Sequence, residues 1–371
     1  MAVKSPPWLQ LPIYGAIRLA MGVPLVAGPD MSVLIARRAG RAFGSMKFNR
    51  ARVIRAADTI GQAFPDWDRD KTLDYALRSY EHLFQLAVET TFLQRLMTEE
   101  GWIHHAEVDH VADALRELAN PKPLIMITAH AGNWELLGYT MGLLGYPMHV
   151  VYRPIDLKPL DKWVHDTRRR RGIFLIDKFG ALRKLPELME QCKPVAFTAD
   201  QNAGDRGIFT PFFGRLTSTY KSIGMLAIQY DATILCGYAR RLNQYGRDEA
   251  PVEDQGFSAL GNSPFRHRIE IVDTIHPEDW KSQPDPLFYV TARYRRAIQT
   301  MVERVPEQYL WMHRIWKSRP RHERLNKPFP PRLREKLASL PWMTEDELAK
   351  IVDQSDRDRA FLTEHGLSRM P

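Results

Sequence analysis

Short apolar runs alternate with longer amphipathic stretches between residues 123 and 275. The runs are PLIMIT (123–128), MHVVYR (148–153), IFLID (173–177), PVAFTAD (194–200), ATILCGYARR (232–241) and RHRIEIVDTI (266–275). Runs this short, rich in β-branched and aromatic residues, predict strands. Between them WELLGYTMGLLG (134–145), LDKWVHDTRRRRG (160–172), ALRKLPELMEQ (181–191) and TYKSIGMLAIQYD (219–231) predict helices. The rhythm predicts an α/β fold: a central mixed, largely parallel sheet flanked by helices. Residues 30–118 read as helical instead. In 68–97, Leu73, Ala76, Leu77, Tyr80, Leu83 and Phe84 share one face at helical spacing. AEVDHVADALRELAN (106–120) predicts a second helix ending before Pro121, and 287–305 a helix with a basic face. Residues 242–264, rich in Gly, Asn, Asp and Pro, predict a surface loop.

Segment 9–28 is apolar, but Arg18 interrupts it and Pro12 and Pro24 flank its middle. A confident transmembrane helix needs about 20 uninterrupted apolar residues. The segment therefore reads as an interfacial anchor or a lid over an apolar groove, with an ordinary core helix as the alternative. No signal peptide is read. The domain division that follows is an anchor at 1–29, a main domain at 30–325 with a helical part (30–120) and an α/β part (121–325), and a C-terminal extension at 326–371.

Composition narrows the classes. With 44% hydrophobic and 26% charged residues over 371 positions, the chain can bury a large core and is not a disordered sequence. Lys and Arg exceed Asp and Glu by 52 to 44, which favours anionic partners: nucleic acid, acidic headgroups or phosphorylated carriers. Cys192 and Cys236 match no metal spacing and read as free thiols.

The candidate chemistry lies in TAHAGNWELLG (128–138), where a strand turns into a helix. A neutral histidine there can take a proton from a hydroxyl near neutral pH, and a nearby carboxylate can orient it and stabilise the imidazolium. His130 and Glu135 are that pair. Gly132 and Asn133, between them, are candidates to bind substrate; Gly132 permits a close backbone approach to it, and the helix start offers unpaired amides for an oxyanion. No Ser or Cys forms a nucleophile elbow, so direct attack by a substrate hydroxyl is the simpler chemistry. The bland reading of a lone histidine here is structural. His110, His165 and His267 read as surface or core residues.

Four blocks, in order, resemble those of the bacterial lipid A biosynthesis (lauroyl/myristoyl) acyltransferases, within the lysophospholipid acyltransferase-like superfamily. They are TAHAGNWELLG; Arg153 followed by RRRRG (168–172); ADQNAGDRGIFTPFFGRLTST (199–219); and VPEQYLWMHRIWKSRP (305–320), the most specific. The resemblance spans about 120–320. It implies a glycerolipid acyltransferase-like fold and transfer of a fatty acyl chain from an acyl carrier protein or coenzyme A thioester to a hydroxyl of a lipid A precursor or related glycolipid. It implies His130 as general base with Glu135 orienting it, at the cytoplasmic face of a bacterial inner membrane, peripheral or N-terminally anchored. No metal and no cofactor beyond the thioester donor is expected. Arg153 and Arg168 are candidates to hold phosphate. Asp200 and Gln201 end a strand on the edge expected to carry His130, and Phe212 and Phe213 are candidates to wall an acyl groove. The bland alternatives are a solvated helix end for RRRR, plain core for the two phenylalanines and a turn cap for Asp200.

The chain departs from the superfamily's phosphatidic-acid branch: Ala129 precedes His130, Glu135 stands where that branch has Asp, and no EGTR block occurs. Mannoside acyltransferases of the mycobacterial type resemble the same blocks, so the acceptor stays open. The competing class is a non-catalytic lipid or acyl-carrier binding protein on the same fold. A nucleic-acid binder rests only on net charge and RRRRG, with no recognised binding motif beside them.

Overall fold

The computed structural model describes residues 6–109, 112–242 and 265–371. His110 and nearly all of the expected 242–264 loop lie outside them. Seven strands form one sheet, in the order β1 (Ala106–Asp109), β9 (His267–Ile275), β8 (Thr233–Arg241), β2 (Leu124–Thr128), β5 (Val195–Thr198), β3 (Met148–Tyr152) and β4 (Ile173–Asp177). The five from β8 to β4 run parallel, β9 pairs antiparallel to β8, and β1 is parallel to β9. The mixed, largely parallel sheet expected from the apolar rhythm is present. β2 has four of its five residues buried, as a central strand covered on both faces requires.

Helices α6 (Trp134–Leu143), α7 (Lys158–Arg169), α8 (Ala181–Glu190) and α9 (Lys221–Gln229) connect the strands, and α11 (Pro286–Arg304) packs across the sheet with eleven buried residues. Two expectations change. Residues 106–109 leave the predicted 106–120 helix and form edge strand β1, pairing with β9 from Ala106↔His267 to Asp109↔Glu270; α5 spans only Ala112–Ala119. The TPFFG segment forms a separate hairpin of β6 (Ile208–Phe212) and β7 (Arg215–Thr219). Its two-residue turn places Phe213 and Gly214 at φ +51° and +65°, the left-handed pairing that hairpins favour.

The N-terminal part is helical: α1 (Pro7–Ala27), α2 (Pro29–Gly44), α3 (Arg50–Ala63) and α4 (Arg69–Leu96). Asp68 caps α4 by accepting from the Lys71 amide at 2.7 Å. The most buried face of α4 is polar as well as apolar: it carries His82 and Glu89 beside Ala76, Tyr80 and Leu93. No residue of α1 is buried, and Trp8, Leu11, Leu19, Val23 and Val26 face outward. By length and composition α1 could cross a membrane. Its inner side meets the body where the Arg18 guanidinium lies 4.4 Å from the Trp163 ring centre.

After α12 (Arg321–Arg324), residues 326–371 form α13 (Pro331–Ala338) and the 20-residue α14 (Glu345–Glu364). Buried ion pairs tie them down. Asp358 accepts from Arg215 of β7 at 2.7 and 2.8 Å and from Arg319 at 2.6 Å, and Arg319 also holds Glu323.

Candidate active site

Register brings the site together. Thr128 of β2 pairs with Thr198 of β5, and the Ala199 amide donates to the Thr128 carbonyl at 3.0 Å. The residues two beyond each, His130 and Asp200, therefore leave the same edge of the sheet side by side. His130 Nδ1 lies 2.8 Å from Asp200 Oδ1. Asp200 is fully buried, whereas the His130 side chain keeps 19% exposure. An ionised carboxylate can only accept, so Nδ1 carries the proton and Nε2 is left to accept one.

Burial disfavours the His130 imidazolium, but the charge and hydrogen bond of Asp200 outweigh it, with a lesser contribution from Glu135. The result is a pKa above the ordinary 6.5. Asp200 is opposed by burial in turn, yet His130, His313 and Arg295 draw it down to about 2. It is an anion at any physiological pH.

Glu135, assigned above to orient His130, does something else. It accepts two hydrogen bonds from Arg168 of α7, one from Nε at 3.1 Å and one from Nη2. The carboxylate that touches His130 is that of Asp200, which caps no turn. Arg168, expected to hold phosphate, is engaged by Glu135. It is no solvated helix end, and Arg171 from the same run donates to the Gln94 carbonyl at 2.9 Å.

Gly132 sits at φ +61°, and a Cβ there would lie 2.1 Å from the Ala239 carbonyl oxygen. Its close approach is to β8 rather than to substrate: the Asn133 amide donates to that oxygen at 2.6 Å and the Gly132 amide to Gln308 O at 3.0 Å. Asn133, expected at the substrate, is buried. Its Oδ1 caps α6 by accepting from the Leu136 amide at 2.9 Å, and its Nδ2 donates to Glu89 at 2.9 Å. Glu89 in turn takes Nε and Nη2 of Arg241 at 2.5 and 2.9 Å, and buried His267 lies 3.4 Å away. His82 accepts from Arg241 at 3.3 Å, and burial followed by that charge pushes it down to about 3. A buried ion pair thus clamps the 130–133 turn between α4 and β8. His267 is a core residue, as expected; His165 meets the Tyr152 hydroxyl at 2.5 Å.

A cavity of about 550 Å³ opens beside His130. Trp134, Glu135, Arg153, Arg168 and Gln201 line its polar end, and Ile127, Val151, Leu185, Phe197 and Ile223 are among its apolar walls. Phe212 and Phe213 are absent from its lining. They pack in the core, where Phe213 meets Phe64 and Trp311, and Phe212 lies 3.9 Å beneath the Arg295 guanidinium. The groove-wall assignment is therefore corrected in favour of plain core.

Three residues escaped the sequence reading. Arg295 was placed on the basic face of its helix, yet it is fully buried and donates to the Asp200 carbonyl at 2.7 Å. Tyr309 buries its phenol beside Asp200, and its backbone bridges to Ala131. The His313 ring centre lies 4.9 Å from that of His130; burial and the neighbouring imidazole push its pKa down. The 305–320 block was noticed as a unit, so a signal for Tyr309 and His313 existed without a role. His130, Asp200 and His313 bring potential ligand atoms within 4.8 Å of one another. These are zinc-type donors, but Nδ1 and Oδ1 are spent on each other in a His–Asp hydrogen bond.

Comparison with known proteins bears on the segments that carry His130 and Asp200. The sequence profile of the family described as bacterial lipid A biosynthesis acyltransferase matches residues 9–254. The chain is 25% identical over 217 residues to the lipid A biosynthesis palmitoleoyltransferase of Escherichia coli (strain K12), covering 58% of this chain and 62% of that protein. It is similar to the same extent to a lipid A biosynthesis acyltransferase of Shigella flexneri. The alignment thus spans less than two thirds of these relatives' length.

Proposed function

The chain belongs to the bacterial lipid A biosynthesis acyltransferase family, and from that premise we propose that it is an O-acyltransferase. It moves a fatty acyl chain from an acyl carrier protein or coenzyme A thioester to a hydroxyl of a lipid A precursor or related glycolipid. The observation that carries this reading is the Asp200–His130 pair, with Nε2 of His130 at the polar end of an otherwise apolar cavity.

The steps follow from that geometry. The acyl chain lies along the apolar walls, with the thioester carbonyl at the polar end. His130 Nε2 takes the proton of the acceptor hydroxyl as its oxygen bonds to the carbonyl carbon. Asp200 stabilises the imidazolium so formed, and a base of this kind contributes on the order of 10²–10⁴-fold in rate. The tetrahedral oxyanion is met by the amides of Trp134 and Glu135, the first two of α6, which have no acceptor within the helix. The intermediate collapses, the C–S bond breaks, and the imidazolium returns its proton to the leaving thiolate. Ester and free thiol are the products, with no cofactor consumed. His313, held neutral, adds no competing charge beside the imidazolium. Glu135 positions Arg168 at the cavity mouth rather than touching the base.

The outward apolar face of α1 supports attachment to a membrane, and the thioester donor of the proposed reaction favours the cytoplasmic face of the inner membrane. The test is incubation of the purified chain with each thioester and a bacterial lipid extract, following thiol release and the mass of lipid products. A new acylated lipid, lost in a folded His130→Ala variant, is expected. Lipid binding with no thioester consumed by the folded wild type would overturn the reading in favour of a non-catalytic binding protein.

A further inference from the structure

Beside the apolar cavity lies a second, polar one of about 290 Å³, lined by Gln201, Asn202, His313, Arg314, Lys317 and Ser318 among others. Gln201 lines both cavities, and His313 stands against His130. The apolar chamber at His130 and this cationic one therefore share Gln201 as a wall, and the second is lined by the histidine that stands against His130.

Of the chamber's three cations, Arg314, Lys317 and Arg369, the first two are uncommitted. Arg168 is neutralised by Glu135, and Arg369 by Asp205 at 2.7 Å. Among the described residues neither Arg314 nor Lys317 makes an ion pair. Arg314 also stands near Arg55; after burial, its like charge is the next cause that pushes the Arg55 guanidinium down. Clustered like charges destabilise a fold unless an anion joins them. The chamber also offers neutral donors fixed in place. The Asn202 amide is held 3.2 Å from the Ser318 hydroxyl, and His313 Nε2 is buried with no hydrogen-bond partner among the described residues.

We propose that this cavity is a phosphate subsite, in which Arg314 and Lys317 hold the phosphate of a substrate while its reacting group lies at His130. Guanidinium and ammonium groups together suit phosphate oxygens. The inference rests on the acyl-transfer reading, since phosphate occurs on both substrate classes of that reaction: on a phosphorylated glycolipid acceptor and on the phosphopantetheine of the donor.

The experiment uses the full chain, as wild type, Arg314→Ser/Lys317→Ser, and Lys350→Ser as a remote control for net charge. Steady-state kinetics with donor and acceptor varied separately give one arm. The expected result is a KM raised roughly tenfold to a hundredfold for one substrate in the double variant, the loss typical of removing charge-assisted hydrogen bonds, with kcat changed far less. A rise for the acceptor assigns the phosphate to the glycolipid, and a rise for the donor assigns it to phosphopantetheine. Unchanged KM for both overturns the proposal. The second arm needs no turnover: calorimetric titration of glucose 1-phosphate and of inorganic phosphate. Binding to wild type and Lys350→Ser that weakens about tenfold or more in the double variant supports the subsite. Binding retained in the double variant, or absent from the wild type, refutes it. If the wild type turns over no thioester, the acyl-transfer reading fails while the titration still decides the subsite.

Discussion

Asp200→Asn separates the carboxylate that touches His130 from the one that sequence spacing suggested. The substitution keeps the shape of a fully buried side chain and removes its charge. Asp200 Oδ1 lies 2.8 Å from Nδ1, whereas Glu135 is held by Arg168 and contributes least among the influences on His130. An asparagine in place of Asp200 can also turn its amide toward Nδ1 and stabilise the wrong tautomer. The combined loss in kcat is on the order of 10²–10⁴-fold. Glu135→Gln costs under about tenfold in kcat and acts mainly through KM, because Arg168 loses its anchor. The pH dependence gives a second readout. The base must be neutral, and Asp200 holds its pKa above 6.5. The wild-type rate therefore rises with pH through a midpoint above 6.5. In Asp200→Asn burial still opposes the imidazolium while its support is gone, so the midpoint moves to lower pH. Initial rates of acceptor-dependent thiol release between about pH 5 and pH 9 measure both effects. A Glu135→Gln variant as impaired in kcat as Asp200→Asn, with the Asp200→Asn midpoint unmoved, would refute the assignment.

Other consequences follow from the clamp around the 130–133 turn. Gly132→Ala places a methyl 2.1 Å from the Ala239 carbonyl oxygen on a left-handed backbone, and is expected to cost about 3 kcal/mol or more in urea unfolding; wild-type stability would show that the turn can move away. Glu89→Ala strands Arg241 in the interior and is expected to cost about 3–5 kcal/mol; adding Arg241→Met should recover part of it, and no recovery would mean that the charge pair is not the cause. His82, held near pKa 3, is neutral in the fold while the unfolded chain binds its proton from about pH 6.5 downward. Stability is thus complete above that pH and lost as pH falls toward 3, by up to roughly 5 kcal/mol. His82→Gln should remove up to one proton from the pH dependence of unfolding; an unaltered slope would contradict the burial argument.

Legibility followed the range of the interactions. The five parallel strands were visible because each is a short apolar run whose burial is decided locally. β1 was not: AEVD carries no strand pattern of its own and is a strand because β9 offers it an edge. The β6–β7 hairpin went unpredicted because its two-residue turn uses Phe213 at positive φ, where Asn or Asp is the usual signal. His130 was recognisable by its place after a buried strand. Its partner lay 70 residues away, and only the pairing of Thr128 with Thr198 selects Asp200 over the nearer Glu135.

The same reasoning explains why arginine misled the sequence reading twice. A basic balance was read as a surface property, and the arginines of α11 as a solvent-facing stripe. Several arginines instead act as interior ties between segments far apart in the chain: Arg241 to Glu89, Arg215 to Asp358, and Arg295 to the Asp200 carbonyl. Guanidinium suits this use because its fork of donors can satisfy a carboxylate or two carbonyls at once, so desolvation is offset by several hydrogen bonds. A buried tie offers no charge to a partner. Of the cations lining the two cavities, those without an ion pair among the described residues are Arg153 and Lys178 at one and Arg314 with Lys317 at the other. Both groups adjoin His130 rather than forming the extended stripe that nucleic acid requires. Where the free positive charge sits, more than how much the chain carries, points to a small phosphorylated substrate group beside the catalytic histidine.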